Sequence, residues 1–425
     1  MAQVEAPNQQ LSPRPSKDTG AVRRKLRFNY FTLEALNGLA AAYYFNYLFF
    51  YMRDHFGFDN RNNLTLVALH GFTYMFSSWN AGRFAHKFGH LFSLRLGFAG
   101  MGLAMVLAGL VPKIFGYSQG AMFAQCAALL LWTVSMCLTW PTLQALLSHE
   151  ETPAGMPHTA GMYNIIWAGG AAIAYLTGGA LLEKFGGETL FWLPAGLHLI
   201  ELILLTRLPK TASIAATPQP DVESFAETVP PPHVPHPRAK TFLYLAWLAN
   251  PFAYIAINGI LPVIPKLSAN LGLSHASAGF VCSVWFWVRL GAFIWFWLWP
   301  GWHYRFRWLL AAFLALGISF ATILLSSQIW TLIAAQVAFG LAVGLIYYSS
   351  LFYSMDVGES KGRRGGIHEA AIGVGVFSGP TVGVTALYLL PNQANAGIWA
   401  ISSLLILGLI PFLLIQRRGQ RQLPL

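Results

Sequence analysis

Arg289 is the only charge within VCSVWFWVRLGAFIWFWLW, residues 281–299. A guanidinium in so apolar a run is costly to hold unless it meets a counter-charge, so its surroundings are where chemistry is expected. Two carboxylates qualify as partners. Glu369 follows His368 near the start of a later apolar run, and Glu34 lies six residues into the first one. At ~1.5 Å per residue, Arg289, Glu369 and Glu34 fall ~8, ~5 and ~9 Å from one membrane boundary. Groups at matching depth can pair, and a carboxyl or imidazole beside them can take up and release a proton. A structural ion pair and a proton-coupling site are both open on this reading, and Glu34 is also placed to snorkel to the headgroups.

Uncharged polar side chains inside apolar runs form a second set. The first half offers Asn37, Tyr44, Asn46, His70, then Trp140, Gln144, Asn164 and Trp167. The second half offers Asn250, Asn258, Trp285, Tyr347 and Ser350. Each amide or hydroxyl can bond helix to helix or hold a solute, whereas the His70 imidazole is a candidate for coupling or gating. Tyr347, Ser350 and Ser354 recur at i, i+3 and i+7, one stripe along a helix. Aromatic rings with hydroxyls suit a neutral or amphiphilic organic solute such as a sugar or a drug-like molecule. Trp295, Trp297, Trp299, Trp302 and Trp308 read instead as membrane-interface anchors. No phosphate-cradling glycine loop, metal-spaced His/Cys set or nucleophile elbow is present, so neither an enzyme nor a cofactor is expected. Cys126, Cys137 and Cys282 lie in apolar runs as small packing residues.

These residues must be positioned by membrane-crossing helices. Only 10% of the 425 residues are charged, 55% are hydrophobic, and mean hydropathy is +0.50. Apolar stretches long enough to cross ~30 Å of hydrocarbon recur along the chain. Twelve spans are expected, at 28–52, 64–85, 92–112, 119–147, 158–182, 188–207, 241–265, 274–299, 308–326, 329–355, 366–390 and 394–416. Residues 1–27 are polar and basic, without a cleavable signal. With that arm cytoplasmic, 21 of the 27 Lys and Arg fall on the cytoplasmic side and five on the other, Arg289 being inside a span. The net charge of +11 is therefore an orientation signal and not a nucleic-acid footprint. Both termini are expected in the cytoplasm of a bacterial inner or plasma membrane.

The polar stretch 208–240 divides the chain into a first six-helix bundle, 28–207, and a second, 241–416, with a tail at 417–425. Its Pro- and Thr-rich composition reads as a mobile cytoplasmic linker. The halves echo each other. Gly161, Gly170 and Gly178 recur 205 residues on as Gly366, Gly375 and Gly383, and Gly71, Phe72 and Trp79 recur 208 residues on as Gly279, Phe280 and Trp287. Asn37 has a looser counterpart in Asn250. Repeats with an even number of spans imply parallel halves about an axis along the membrane normal.

Six plus six spans around a long middle loop resemble the major facilitator superfamily of secondary transporters. The loop Gly82-Arg83-Phe84-Ala85-His86-Lys87-Phe88-Gly89-His90 is similar to that family's signature between spans 2 and 3. Gly82, Lys87 and Gly89 fit it, while His86 replaces its aspartate. The resemblance implies an all-α fold of two pseudo-symmetric bundles, with spans 1, 4, 7 and 10 lining a cavity and 2, 5, 8 and 11 closing its sides. Spans 8 and 11 are then neighbours, which favours Glu369 as the partner of Arg289, with His368 as a relay. It also implies that the signature loop gates the cytoplasmic end, its glycines letting helix ends approach. Loss of the aspartate would weaken that gate, or His86 would make it pH-sensitive, since histidine changes charge in the physiological range; a basic interfacial loop without a gating role is the other reading of these residues. In the second half, 300–307 keeps only the basic residues. The segment 375–383, with Pro380, is similar to a family antiporter pattern but falls in span 11, and close helix packing with a bend is preferred to antiport. The implied activity is alternating-access transport of a small organic solute by a monomer, with protons as a candidate coupling ion. A sensor or scaffold that binds without transport is the alternative, and a channel is disfavoured for want of a pore loop or charged ring.

Overall fold

The computed structural model describes residues 17–149, 155–208, 236–357 and 361–421. Most of the 208–240 linker and the first part of the N-terminal arm lie outside them. Within them the chain is helix and turn, with no strand. The first two helices are α1 (Lys17–Phe56) and α2 (Asn60–Phe88). Asp59 caps α2, its carboxylate accepting the Asn62 N–H at 2.9 Å. Gly89, at φ 94°, turns directly into α3 (His90–Phe115), a corner a side chain would strain.

Several spans are broken where the sequence denies the helix a bond. α4 (Gln119–Cys137) and α5 (Trp140–His149) meet at Leu138 and Thr139, just before Pro141, which has no N–H to donate. After α6 (Met156–Phe185) and α7 (Thr189–Thr206), the second half begins with α8 (Ala239–Ile260). It continues through a 3-10 turn, Leu261–Val263, into α9 (Ile264–Asn270), with prolines at 262 and 265. α10 (His275–Cys282) and α11 (Val284–Leu298) share one span interrupted at Ser283. The rest are α12 (Phe306–Leu325), α13 (Ile329–Asp356), α14 (Lys361–Leu389), α15 (Ala396–Leu407) and α16 (Leu409–Arg421).

Ten helical segments among the described residues are long and apolar enough to cross a membrane, against the twelve expected. The other two candidates, α1 and α2, have the length but carry Glu34, Asn37 and Asn46, or His70, Arg83, His86 and Lys87. Large apolar side chains such as Phe280, Ile318 and Trp330 face outward, as a hydrocarbon solvent permits. Trp302 corrects the anchor reading. It is buried among Phe296, Tyr348, Phe352 and Tyr353, and its indole N–H donates to the Phe296 carbonyl at 3.1 Å.

Each half packs internally, α1 on α6 and α7, α3 on α4 and α7, α8 on α13 and α14, and α11 and α12 on α13. Two seams join the halves: α2 along α14, and α6 along α10 and α11. The repeated glycines explain how close these seams run. A Cβ on Gly71 would sit 2.6 Å from the Phe377 nitrogen across the first seam. Its repeat partner Gly279 would meet the Tyr175 carbonyl at 3.0 Å across the second. The same repeat offset therefore marks equivalent contacts of a pseudo-symmetric pair.

Candidate functional site

The second seam brings Arg289 from α11 into the middle of the molecule. It is 4% exposed, and its guanidinium lies over Trp167 at 4.5 Å, Trp285 at 5.0 Å and Phe286 at 5.2 Å. Trp167 belongs to α6 of the other half. Tyr347 from α13 stacks on Trp167 with ring centroids 5.8 Å apart, and also meets Phe293 at 5.5 Å. Tyr254 of α8 lies within electrostatic reach of the same guanidinium. Three elements of the second half and one of the first thus converge on one cation. The ring faces hold it by cation–π attraction, worth about 2 kcal/mol when water is excluded. Arg289 Nε has no hydrogen-bond partner, and among the described residues no carboxylate pairs with this side chain. The expected partner Glu369 and its neighbour His368 belong to α14, but their side chains lie outside the described residues.

The other expected residues divide into those near this centre and those that build its walls. Trp167 and Tyr347 are half-buried, Trp285 is buried behind them against Phe339, and Ser350 is buried one turn further along α13. Ser354 accepts the indole N–H of Trp247 at 2.9 Å, so the 347–354 stripe is partly spent on helix contacts. Asn37 donates to the Thr139 hydroxyl at 3.1 Å, at the break between α4 and α5, leaving its carbonyl oxygen unpartnered. Its repeat counterpart Asn250 is buried with both side-chain polar atoms unpartnered. Asn258 donates back to the Tyr254 carbonyl of its own helix at 2.9 Å. Asn46 and Asn164 are buried, Gln144 is half-buried beside Tyr163, and the half-buried Trp140 leaves its N–H unpartnered.

Two residues go elsewhere. Tyr44 packs in the first half's own core against Trp132 at 5.0 Å and Phe191 at 6.3 Å. His70 bonds the Thr133 hydroxyl at 2.7 Å, tying α2 to α4. Thr133 gives its own proton to the Leu129 carbonyl, so His70 Nδ1 is the donor. At the end of α2, Gly82, His86 and Lys87 are exposed. A Cβ at Gly82 would meet nothing within 4 Å among the described residues, while Gly89 has a conformational reason in its positive φ.

Sequence reading passed over a buried polar group on α7. His198 Nδ1 and Glu201 Oε2 are 2.8 Å apart, and both side chains are fully buried. Glu34 is 0% exposed and lies between Glu201 and the Tyr163 hydroxyl. The i, i+3 pair in LHLIEL was the available signal. At the end of the molecule away from the termini, the halves are latched. His275 Nε2 meets Asp54 Oδ2 at 2.8 Å, the Ala276 N–H donates to Glu183 at 3.0 Å, and Asn63 donates to the Pro262 carbonyl at 3.1 Å. No group of His, Cys, Asp and Glu among the described residues is arranged to hold a metal ion.

Residues 3–175 match the sequence model of the Major Facilitator Superfamily. No curated protein matches the chain in sequence. Among solved structures, a peptide transporter, POT, crystallised with sulfate, is similar at a TM-score of 0.70 and 15% identity, covering 93% of this chain and 95% of that one. A mutant of POT with sulfate gives 0.67 at 15% identity over the same shares. A mutant of the nucleoside transporter NupG gives 0.65 at 13% identity, covering 94% of this chain and 100% of that one. At such identities the likeness is one of fold, and it extends over both halves.

Proposed function

We propose that the chain is a member of the major facilitator superfamily and a secondary active transporter that carries a small organic anion by alternating access. Arg289 is the observation that carries this reading. A buried guanidinium without a described carboxylate partner is stabilised by an incoming anionic group, and the flat walls of Trp167, Tyr347 and Trp285 suit an apolar or aromatic body. Arg289 and Trp167 come from different halves, so a solute held there links the rocking bodies. The neutral sugar-like solute suggested by the hydroxyl stripe is less favoured, since it would leave the cation unanswered. Two six-helix bundles, the first completed by counting α1 and α2 as spans, and cytoplasmic termini form part of this proposal.

The test uses the purified full-length protein. A panel of aromatic and aliphatic carboxylates and matched neutral amides is screened by thermal shift, and stabilising compounds are then followed as radiolabelled uptake into proteoliposomes. A ligand at 100 times its Kd raises stability by about 2.7 kcal/mol. Carboxylates should stabilise the protein, accumulate in the vesicles and lose at least ten-fold in apparent affinity in Arg289→Gln. Stabilisation by the amides alone, or unchanged affinity in folded Arg289→Gln, overturns the anion reading. Binding without uptake by any compound overturns transport.

A further inference from the structure

We propose that Glu34 together with the His198–Glu201 pair forms a proton-binding site inside the first half, separate from the solute centre and wired to it. The proposal rests on the transporter reading and names the coupling ion. Three titratable side chains are fully buried there, from α1 and α7. His198 Nδ1 and Glu201 Oε2 answer each other at 2.8 Å, but His198 Nε2 and Glu201 Oε1 have no hydrogen-bond partner, and the Glu34 carboxyl has only the Tyr163 hydroxyl beside it. With every group ionised, two carboxylates would face one imidazolium in a dry interior, a net buried charge. Such an arrangement is stable only when a proton or another cation is added. The titratable groups facing it are Glu34 and Tyr30 of α1 and Tyr163 of α6, while α3 presents the ring of Phe98, 6.5 Å from His198, and Gly102.

The wiring runs across the seam. Glu34 is within electrostatic reach of Glu201 on one side and Tyr163 on the other. Tyr163 is in turn within reach of Gln144 and Tyr347, and Tyr347 stacks on the Trp167 that covers Arg289. A proton added at Glu34 removes a negative charge from the line that leads to the solute's cation. An anion moving with one proton carries no net charge through the membrane. At ~1.5 Å per residue, Glu34 and Glu201 both lie ~8–9 Å from the membrane boundary on the side of the N-terminus, one boundary for proton entry.

Infrared difference spectroscopy across a pH step reads the site directly, because a protonated carboxyl has a C=O stretch that a carboxylate lacks. The full-length protein is used in lipid, with no solute present. The wild type should show a carboxyl band that disappears as pH rises. Glu34→Gln and Glu201→Gln should each remove or shift it, and His198→Gln should shift it. Glu34→Gln leaves the hydrogen-bonded pair intact and carries the test if Glu201→Gln fails to fold. A pH-dependent band unaltered in folded Glu34→Gln overturns the site. So does a band that answers added sodium at constant pH but not pH. A protein that transports none of the solute panel still gives this reading, and a missing band in a protein that transports removes the proton site alone.

Discussion

Replacing Gly179 by alanine adds one methyl group at the tightest point between the halves. Gly179 lies in α6, and a Cβ there would lie against the His275 carbonyl oxygen, 2.6 Å from its carbon and 3.1 Å from the Ala276 nitrogen. All three atoms are backbone at the start of α10, so none can swing aside. Overpacking of this kind costs about 1–3 kcal/mol. It acts only on the state in which this end is closed, so the ratio of open to closed molecules should rise about 5- to 150-fold. Phe50 reports the change. It is 4% exposed, with its ring 5.4 Å from His275, and a cysteine in its place is shielded until the seam parts. With Cys126, Cys137 and Cys282 replaced, the rate of alkylation of Phe50→Cys by an impermeant maleimide should rise within that range in Gly179→Ala. Gly196→Ala is the control, since a Cβ there meets nothing within 4 Å. Equal labelling rates in folded Gly179→Ala and its parent would refute the wedge argument, as would the same rise in Gly196→Ala.

Other outcomes follow from the same contacts. Asp54→Asn weakens a half-exposed pair worth about 0.2–1 kcal/mol, so Phe50→Cys labelling should rise no more than about 5-fold, and a larger rise would make the pair the main latch. His70→Ala leaves the Thr133 hydroxyl without its buried donor and should lower stability by about 1–3 kcal/mol, seen as a lower thermal midpoint with transport retained. Glu369→Gln separates two partners for Arg289: an anion anchor predicts weakened carboxylate binding only in Arg289→Gln, whereas an internal pair predicts tighter carboxylate binding once Glu369 is neutral.

The run of apolar spans was legible because hydrocarbon solvent imposes composition directly. The repeat was legible for a related reason: a glycine whose Cβ space is filled by a neighbouring backbone cannot drift, so Gly71 and Gly279 kept both identity and register. Arg289 stood out as a lone charge, but its aromatic box did not, since Trp167 is over a hundred residues away and comes from the other half. His198 and Glu201 were passed over because their run, read as a whole, is apolar and was expected to lie outside the cavity lining. Their burial depends on α3 and α1 closing over them. The latch of Asp54, Glu183 and His275 lies in short polar breaks and at the first turn of a span, where composition alone reports only the membrane boundary.

Trp297 gives the seam between α6 and α11 an optical consequence. A Cβ on Gly161 would sit 3.5 Å from its indole, which also meets the His158 ring at 5.3 Å, across the two halves and at the end opposite the latch. Parting of the halves there would exchange this contact for water or lipid, and indole emission shifts in wavelength with the polarity around it. Recorded as the difference between the protein and its Trp297→Phe variant, this emission is a native signal at one mouth. Opening at that mouth could then be followed in real time without any attached label.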